Sequence, residues 1–383
     1  MRKVCVIITA RPSYSRIRSA LVALKARDDI ELQVVVAASA LLDRYGSVID
    51  EIERDGFEIA NKVYMVLEGE QLLTMAKTTG IGMIELATAL DNLKPDFVVT
   101  IADRHETLAT AVAAAYMNIP LVHIQGGEIT GSIDEKVRHA VTKLADYHLV
   151  STELAAERVI RMGEDPDTVI VTGCPSIDIA AKVLDKPELD FDPMQKYGGV
   201  GAQLDLSNGY LVVLQHSVTT EHDLARKQVQ ATLHAVTDSG FPTLWFWPNP
   251  DAGSDGTSGG IRAFREAYNP PNLHFFKNMA PDDFLRLLYH SRCLVGNSSA
   301  GIRECSFLGV PVVNIGGRQT GRDRGANVRD VGYDRGAIAG AIRIQAAKGL
   351  LPSDPLYGDG TAGPRISEAL ARIEPRIEKR LTY

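Results

Sequence analysis

Apolar residues along this chain fall into two kinds of run that alternate. Short β-rich runs, Val4–Thr9, Glu31–Ala37, Lys62–Val66, Phe97–Ile101, Leu121–Ile124, Tyr147–Val150 and Val169–Thr172, predict strands. Between them lie amphipathic segments with helical period, among them Ile17–Lys25, Glu70–Leu93, Glu106–Met117 and Asp134–Ala145. Such alternation predicts a parallel sheet with helices on both faces. The series closes near Gly173–Cys174–Pro175. Residues 180–208 lose the rhythm and carry Pro187, Pro193, Gly198, Gly199 and Gly201, which reads as an inter-domain connection with a lead-in helix. A second series follows, with strands at Tyr210–Leu214, Thr243–Trp247, Leu273–Phe276, Arg292–Gly296 and Pro311–Ile315. A last helix is expected over Arg365–Leu381. The pattern therefore predicts two doubly wound α/β domains, residues 1–175 and 176–365. Residues 366–383 form a C-terminal helix that can pack back on the first. No repeat at solenoid periods and no low-complexity segment interrupts this order.

Composition narrows the picture only a little. With 383 residues, 45% hydrophobic and 23% charged, the chain has the length for two buried cores. A formal net charge of −7 disfavours a nucleic-acid partner while leaving room for a local cationic pocket. Cys5, Cys174, Cys293 and Cys305 show no metal spacing and read as reduced thiols of a cytosolic protein. No metal and no cofactor are expected. The apolar run after Met1–Arg2–Lys3 is too short for a signal peptide, and no run approaches the ~20 residues of a membrane helix. A soluble, cytoplasmic protein is the expectation.

Candidate chemistry gathers where strands end. After Leu121–Ile124 comes a loop with three glycines, Gln125, Glu128 and Asp134, closing on a helix that carries Arg138 and His139. Ser132 or Asp134 could cap that helix, and the glycines could let backbone approach a ligand. After Phe97–Ile101 comes Asp103–Arg104–His105–Glu106; Asp103 is either a helix N-cap or an acid–base group near a phosphate. The loop Thr9–Arg16 has no GxGxxG and offers Arg11, Arg16 and hydroxyls to an anion. In the second series, His216 follows a strand and suits a phosphate contact or an acid. Gly296–Asn297–Ser298–Ser299, leading to Glu304, combines a strand break, hydroxyls and a helix start. That favours a diphosphate, with Glu304 free to accept from a ribose diol. Arg318, Arg322 and Arg324 lie in a glycine-rich loop suited to bidentate diphosphate recognition, or simply to solvent. A diphosphate ligand on the second domain, faced by acid–base groups of the first across a cleft, is the expectation these residues support.

At these residues the chain resembles the hydrolysing UDP-N-acetylglucosamine 2-epimerase family. The resemblance rests on Arg11 to Ser15, Asp103–Arg104, the Gly-Gly-Glu to Arg-His stretch, Gln215–His216 with Thr219–Thr220, Asp251–Ala252–Gly253–Ser254, Gly296 to Glu304 and Arg318 to Asn327. It implies a GT-B fold of two Rossmann-like domains. It also implies elimination of UDP from a UDP-2-acetamido sugar and addition of water to the glycal, giving free N-acetylmannosamine or a related sugar. Arg11, Ser15, His216, Ser298, Ser299, Glu304 and Arg318 would hold UDP, and the backbone near Met279 would meet uracil. Asp103 and Asp134 match the family's catalytic carboxylates, and Arg104 resembles the hydrolysing branch. Glu128, Arg138 and His139 would support them. Where many members carry Glu two residues after the strand's His, this chain has Gln125, which cannot transfer a proton at neutral pH. Glu128 then takes over, or Asp103 and Asp134 suffice, or the substrate differs.

The leading expectation is a hydrolysing 2-epimerase of UDP-N-acetylglucosamine on a route to sialic acid, working as a homodimer or homotetramer. A UDP- or GDP-linked diacetamido trideoxyhexose is the close variant. A GT-B glycosyltransferase would need an acceptor surface, of which the sequence shows no patch, and Gln125 leaves open a sensor that binds nucleotide sugar without turnover.

Overall fold

A computed structural model describes residues 1–43, 48–69, 71–130, 133–248 and 253–382. The chain divides into two compact units. The first comprises Met1–Glu128, Ile133–Asp178 and Tyr357–Tyr383; the second comprises Ile129–Ser132 and Ile179–Leu356.

In the first unit the strands are β1 (Arg2–Ile8), β2 (Ile30–Ala37), β3 (Ile59–Val63), β4 (Phe97–Ile101), β5 (Leu121–Ile124), β6 (Tyr147–Val150) and β7 (Val169–Val171). They form one sheet in the order β3-β2-β1-β4-β5-β6-β7, and each pairing is parallel. The helices are α1 (Arg11–Ser15), α2 (Arg18–Lys25), α3 (Val48–Arg54), α4 (Leu72–Leu93), α5 (His105–Tyr116), α6 (Asp134–Leu144), α7 (Glu153–Arg161) and α8 (Pro175–Asp185). Parallel strands buried on both faces need apolar side chains at every position, hence the unbroken runs in the sequence. The side-chain alternation of a strand then divides them. Val4, Val6, Ile8, Val34 and Val36 enter one core with Leu21 and Leu24, while Cys5, Ile7, Val35 and Ala37 enter the other with Leu86 and Leu90.

The second unit has β8 (Val200–Gly201), β9 (Leu211–Leu214), β10 (Thr243–Phe246), β11 (Leu273–Phe276), β12 (Cys293–Gly296), β13 (Val312–Ile315) and β14 (Val328–Val331). Their order is β14-β13-β12-β9-β10-β11-β8, parallel except for the edge strand β8, which runs against β11. Its helices are α9 (Pro193–Tyr197), α10 (Ala225–Ser239), α11 (Ser254–Tyr268), α12 (Pro281–Tyr289), α13 (Glu304–Leu308) and α14 (Arg335–Ala346). The pattern of the sequence overlooked β14, whose Arg329 and Asp330 give an edge strand no apolar run.

The last helix, α15 (Ala362–Arg372), is shorter than the expected Arg365–Leu381 and starts earlier. It ends before Pro375, which cannot donate to a helix ladder. Its N-terminus is capped from a distance: the Asp178 carboxylate accepts from the backbone N–H groups of Ala362 at 2.9 Å and Gly363 at 2.6 Å. Gly363 is required because a Cβ there would stand 2.6 Å from the backbone of Ser19 on α2. Ile366 and Leu370 thereby join the first unit's core. The chain beyond α15 is extended and tied down by polar contacts. Arg376 pairs with Asp165 at 2.9 Å, Lys379 with Glu164 at 2.5 Å, and the Tyr147 hydroxyl donates to the Glu374 carbonyl at 2.6 Å.

Candidate functional site

Both sheets reverse their winding direction once, and such switch points are where open α/β sheets bind ligands. In the first unit the reversal falls between β1 and β4. The chain after β1 is the short helix α1, with Pro12 in its first turn, where a loop had been expected. Arg11 opens it, half-buried, and the Ser15 hydroxyl closes it by donating to the Arg11 carbonyl at 3.3 Å. Burial works against the Arg11 charge, and Glu51 offsets part of that cost.

After β4, Ala102 has φ +65°, a left-handed conformation that costs an alanine energy. It is held there from both sides. Its N–H donates to the Ile124 carbonyl at 2.9 Å, and its carbonyl is 2.9 Å from His123 Nε2. The other ring nitrogen of His123 is 3.1 Å from the Thr142 hydroxyl, and burial pushes this imidazole down to about 3. The kink at Ala102 leads into Asp103, which is 7% exposed. Asp103 is not a helix cap: the N-cap of α5 is Arg104, and no side chain caps that helix. Asp103 instead forms an ion pair with Arg138, and Arg16 lies 3.9 Å from its other oxygen. The Arg138 side chain is 1% exposed and also donates to the Glu128 carbonyl at 2.8 Å, with Glu135 at 3.5 Å. One buried guanidinium therefore joins the strand end that carries Asp103 to the loop that carries Glu128. Arg104 pairs with buried Glu106 at 3.1 Å. Burial pushes the Glu106 carboxyl up, but Arg104 and His105 more than reverse it, leaving it below its ordinary value.

After β5, Gln125 also takes a left-handed conformation, φ +67°, and is fully buried. Its amide nitrogen donates to Cys174 Sγ at 2.9 Å, and its amide oxygen has no hydrogen-bond partner among the described residues. Gly126 and Gly127 serve packing, where the sequence had suggested ligand approach. A Cβ on Gly127, at φ +74°, would stand 2.2 Å from the Ala155 carbonyl; one on Gly126 would crowd Thr142 and His123. Glu128 is 2% exposed. Ser132 lies outside the described residues. Asp134 is the first residue of α6, after Ile133 at the N-cap position, so it does not cap this helix. As an acidic first-turn residue it complements the helix dipole. His139 is 2.9 Å from Glu135 one turn back.

In the second unit the winding reverses between β9 and β12. His216 follows β9, and Asn297 follows Gly296 at the end of β12. Gly296 has φ +136°, and a Cβ on it would stand 2.1 Å from the Leu214 carbonyl, so this glycine lets two strand ends touch. Asn297 then bridges them: its Oδ1 accepts from the His216 N–H at 2.7 Å and its Nδ2 donates to the His216 carbonyl at 2.8 Å. Ser298 caps a single 3-10 turn, Ser299–Gly301, by accepting from the Ala300 N–H at 3.3 Å. The helix expected here is therefore a 3-10 turn followed by the five-residue α13, which Glu304 begins. Arg318 and Gln319 come from the loop after β13 and donate to the Asn297 carbonyl at 3.2 and 2.9 Å. Arg324 is occupied by Asp330 and the Gln319 carbonyl, and Arg322 is 4% exposed, so the loop's three arginines do not act alike. Met279 is buried before α12, its N–H taken by the Asn278 side chain at 2.7 Å. Asp251 and Ala252 lie outside the described residues; Ser254 opens α11 after Gly253 at φ +87°.

Several buried oxygens on this edge have no hydrogen-bond partner among the described residues: Gln215 Oε1, Ser217 Oγ and Thr219 Oγ1 after β9, Glu304 Oε2 after β12, and Gln319 Oε1 after β13. Buried polar atoms are ordinarily satisfied, and these five all follow β9, β12 or β13, at the edge where the winding reverses. The four cysteines are free and buried, and burial pushes Cys5 and Cys293 up to about 12, which makes them packing residues. Among the described residues no group of His, Cys, Asp and Glu could hold a metal ion, and no helix is long and apolar enough to cross a membrane. Asn297, Gln319 and His123 had no role assigned from the sequence. A carboxamide between a glycine and two serines was the signal for Asn297; left-handed backbone at Ala102 and Gln125 leaves none.

Comparison with known proteins gives the family and the fold. The chain is 32% identical to the UDP-N,N'-diacetylbacillosamine 2-epimerase (hydrolyzing) of Legionella pneumophila, covering 97% of this chain and 96% of that protein. It is 28% identical to the UDP-N-acetylglucosamine 2-epimerase of Neisseria meningitidis, covering 98% and 96%. The crystal structure of UDP-GlcNAc 2-epimerase from Neisseria meningitidis bound to UDP-GlcNAc superposes with a TM-score of 0.79 at 19% identity, over 97% of this chain and 100% of that one, which shows a shared GT-B fold. The sequence profile described as UDP-N-acetylglucosamine 2-epimerase matches residues 22–371, and the chain belongs to that enzyme family.

Proposed function

We infer that this protein is a hydrolysing 2-epimerase that converts UDP-N-acetylglucosamine to UDP and N-acetylmannosamine. The observation that carries the nucleotide half is the set of unpaired buried oxygens at the β9/β12/β13 edge beside His216, Ser298, Ser299, Glu304 and Arg318. In this reading Arg318 and His216 stabilise the leaving diphosphate, with Arg11 and Ser15 assisting, Glu304 accepts from the ribose, and backbone near Met279 meets uracil. The acid–base half rests on Asp103, which Arg138 fixes and charge-balances, and on Asp134 at the start of α6. The C1–O bond breaks with its electron pair leaving on UDP. One carboxylate takes the C2 proton, whose bonding pair becomes the C1=C2 bond of a glycal. Water then adds its hydroxyl at C1, and C2 receives a proton on the opposite face, so a free sugar inverted at C2 departs. Glu128, Arg104 and His139 support this machinery. Gln125 cannot exchange protons at neutral pH, and this reading assigns both transfers to the two aspartates.

A UDP-linked N,N'-diacetylbacillosamine is the second reading, favoured by the 32% identity to the Legionella enzyme. Incubation with each UDP-sugar in D2O, followed by NMR, decides between them. The expected result is UDP release with a C2-deuterated, C2-inverted free sugar from UDP-N-acetylglucosamine. Turnover of the diacetylbacillosamine substrate alone would move the assignment to the second reading, and UDP release only with an added acceptor would make the protein a glycosyltransferase.

A further inference from the structure

We propose that Asn297 is a positioning residue: its side chain places His216 for the leaving diphosphate without touching the ligand itself. This rests on the nucleotide site described under the proposed function. Asn297 is fully buried, at 0% exposure, between two strand ends that belong to opposite directions of winding. Its carboxamide uses one acceptor and one donor on a single residue, the N–H of His216 at 2.7 Å and the carbonyl of His216 at 2.8 Å. Two bonds to one residue fix orientation as well as distance, which a single bond does not. Its main-chain oxygen works separately, receiving Arg318 at 3.2 Å and Gln319 at 2.9 Å. Side chain and main chain thus hold the loops after β9 and β13 to the same point after β12. The loop after β9 is outside regular structure at that position, because β9 ends at Leu214 and the 3-10 helix begins only at Thr219. Gln345 shows what a purely architectural carboxamide looks like in the same unit. It is equally buried, and its Nε2 donates to the carbonyls of Val312 at 2.8 Å and Asn327 at 2.7 Å, with no candidate ligand group among its partners.

Coupling to His216 separates positioning from simple support of the fold. UDP binding is measured by calorimetry on the full chain for Asn297→Ala, for the isosteric Asn297→Asp, for His216→Ala and for the double variant. Asn297→Asp keeps the acceptor for the His216 N–H and loses the donor to its carbonyl. Each single variant is expected to bind UDP about tenfold more weakly, the factor that one or two lost hydrogen bonds correspond to. The double variant is expected to bind no more weakly than His216→Ala alone, since Asn297 acts through that residue. Gln345→Ala is the control: it should lower thermal stability, leave UDP affinity intact, and add nothing in combination with His216→Ala. Losses that multiply in the double variant would overturn the positioning role, as would wild-type UDP affinity in both Asn297 variants. Wild-type affinity in His216→Ala would instead remove His216 from the nucleotide site, taking that part of the proposed function and this inference together.

Discussion

At the scale of single residues, the acid–base side of the site is a set of buried groups that constrain one another. Asp103 is paired with an arginine at 1% exposure, so replacing its charge leaves that arginine with its more distant partner Glu135, at 3.5 Å. Asp103→Asn should abolish turnover while UDP affinity survives; loss of UDP binding in the folded variant would show that the two tasks are not divided as proposed. His123 gives a pH signature. Its folded value is near 3 against an ordinary 6.5, so between those values the unfolded chain binds a proton that the native protein refuses. Stability therefore falls as pH drops from about 6.5 toward 3. Urea unfolding at pH 7 and pH 5 should show a smaller drop in His123→Gln than in the wild type. An equal drop would mean that His123 titrates normally. The sequence made Asp103, Asp134 and His216 legible as candidates, because charged residues at strand ends stand out against apolar runs. It did not make their holders legible. Ala102 and Gln125 are held by donating their N–H groups to the carbonyls of Ile124 and Leu149, and Ala102 also by its carbonyl's contact with His123, contacts that no local pattern encodes.

At the scale of elements, strands were read well and their ends less so. Buried parallel strands announce themselves by composition, whereas caps and edges depend on partners distant in sequence. Asp178 capping α15 from 184 residues away is one case, and β14 at a polar edge is another. For two of the glycines after β5, Gly126 and Gly127, packing supplies a reason that the sequence did not show, while Gly131 lies outside the described residues. Gly127 is there because the Ala155 carbonyl leaves no room for a Cβ, so Gly127→Ala should destabilise the protein by roughly 3 kcal/mol through strain at a positive φ and overlap with backbone. A thermal midpoint within a degree of the wild type would contradict this. The extended segment after α15 depends on Glu164, which accepts from Lys143 at 2.5 Å, His148 at 3.0 Å and Lys379 at 2.5 Å. Burial pushes the Glu164 carboxyl up, yet these three donors bring it down to about 2. Burial outweighs the same contact for Lys379, whose ammonium lies below its ordinary value, so the net gain resides on the carboxylate. Glu164→Gln should cost about 2–3 kcal/mol at pH 7, toward the lower end for a buried pair because Lys143 remains a third exposed. A carboxyl lowered by folding stabilises above its unfolded value. The difference between wild type and variant should therefore shrink as pH falls from about 4.5 to about 2, and chemical denaturation across that range measures it.

At the scale of the whole molecule, the first unit is discontinuous: residues from Tyr357 onward return to it, and Ile366 and Leu370 complete its core. The two passages of chain lie side by side where they enter, with the Cys174 N–H donating to the Tyr357 carbonyl at 2.8 Å. A chain ending at Leu356 should leave the second unit protected in limited proteolysis while the first is cut throughout; equal protection of both would show that α15 is dispensable. The apolar pattern made two α/β units legible because each is a repeated alternation of strand and helix. What it could not specify was the return of α15, since an amphipathic helix carries no address for the surface it covers. That return also sets an order of events during synthesis. Translation delivers Arg2–Ile8 long before α15, whose Ile366 and Leu370 join the same core. The second unit, apart from Ile129–Ser132, is contiguous and fully emerged before then. It can therefore reach its native packing while the first half of the protein is still waiting, partly uncovered, for the final turns of its own core.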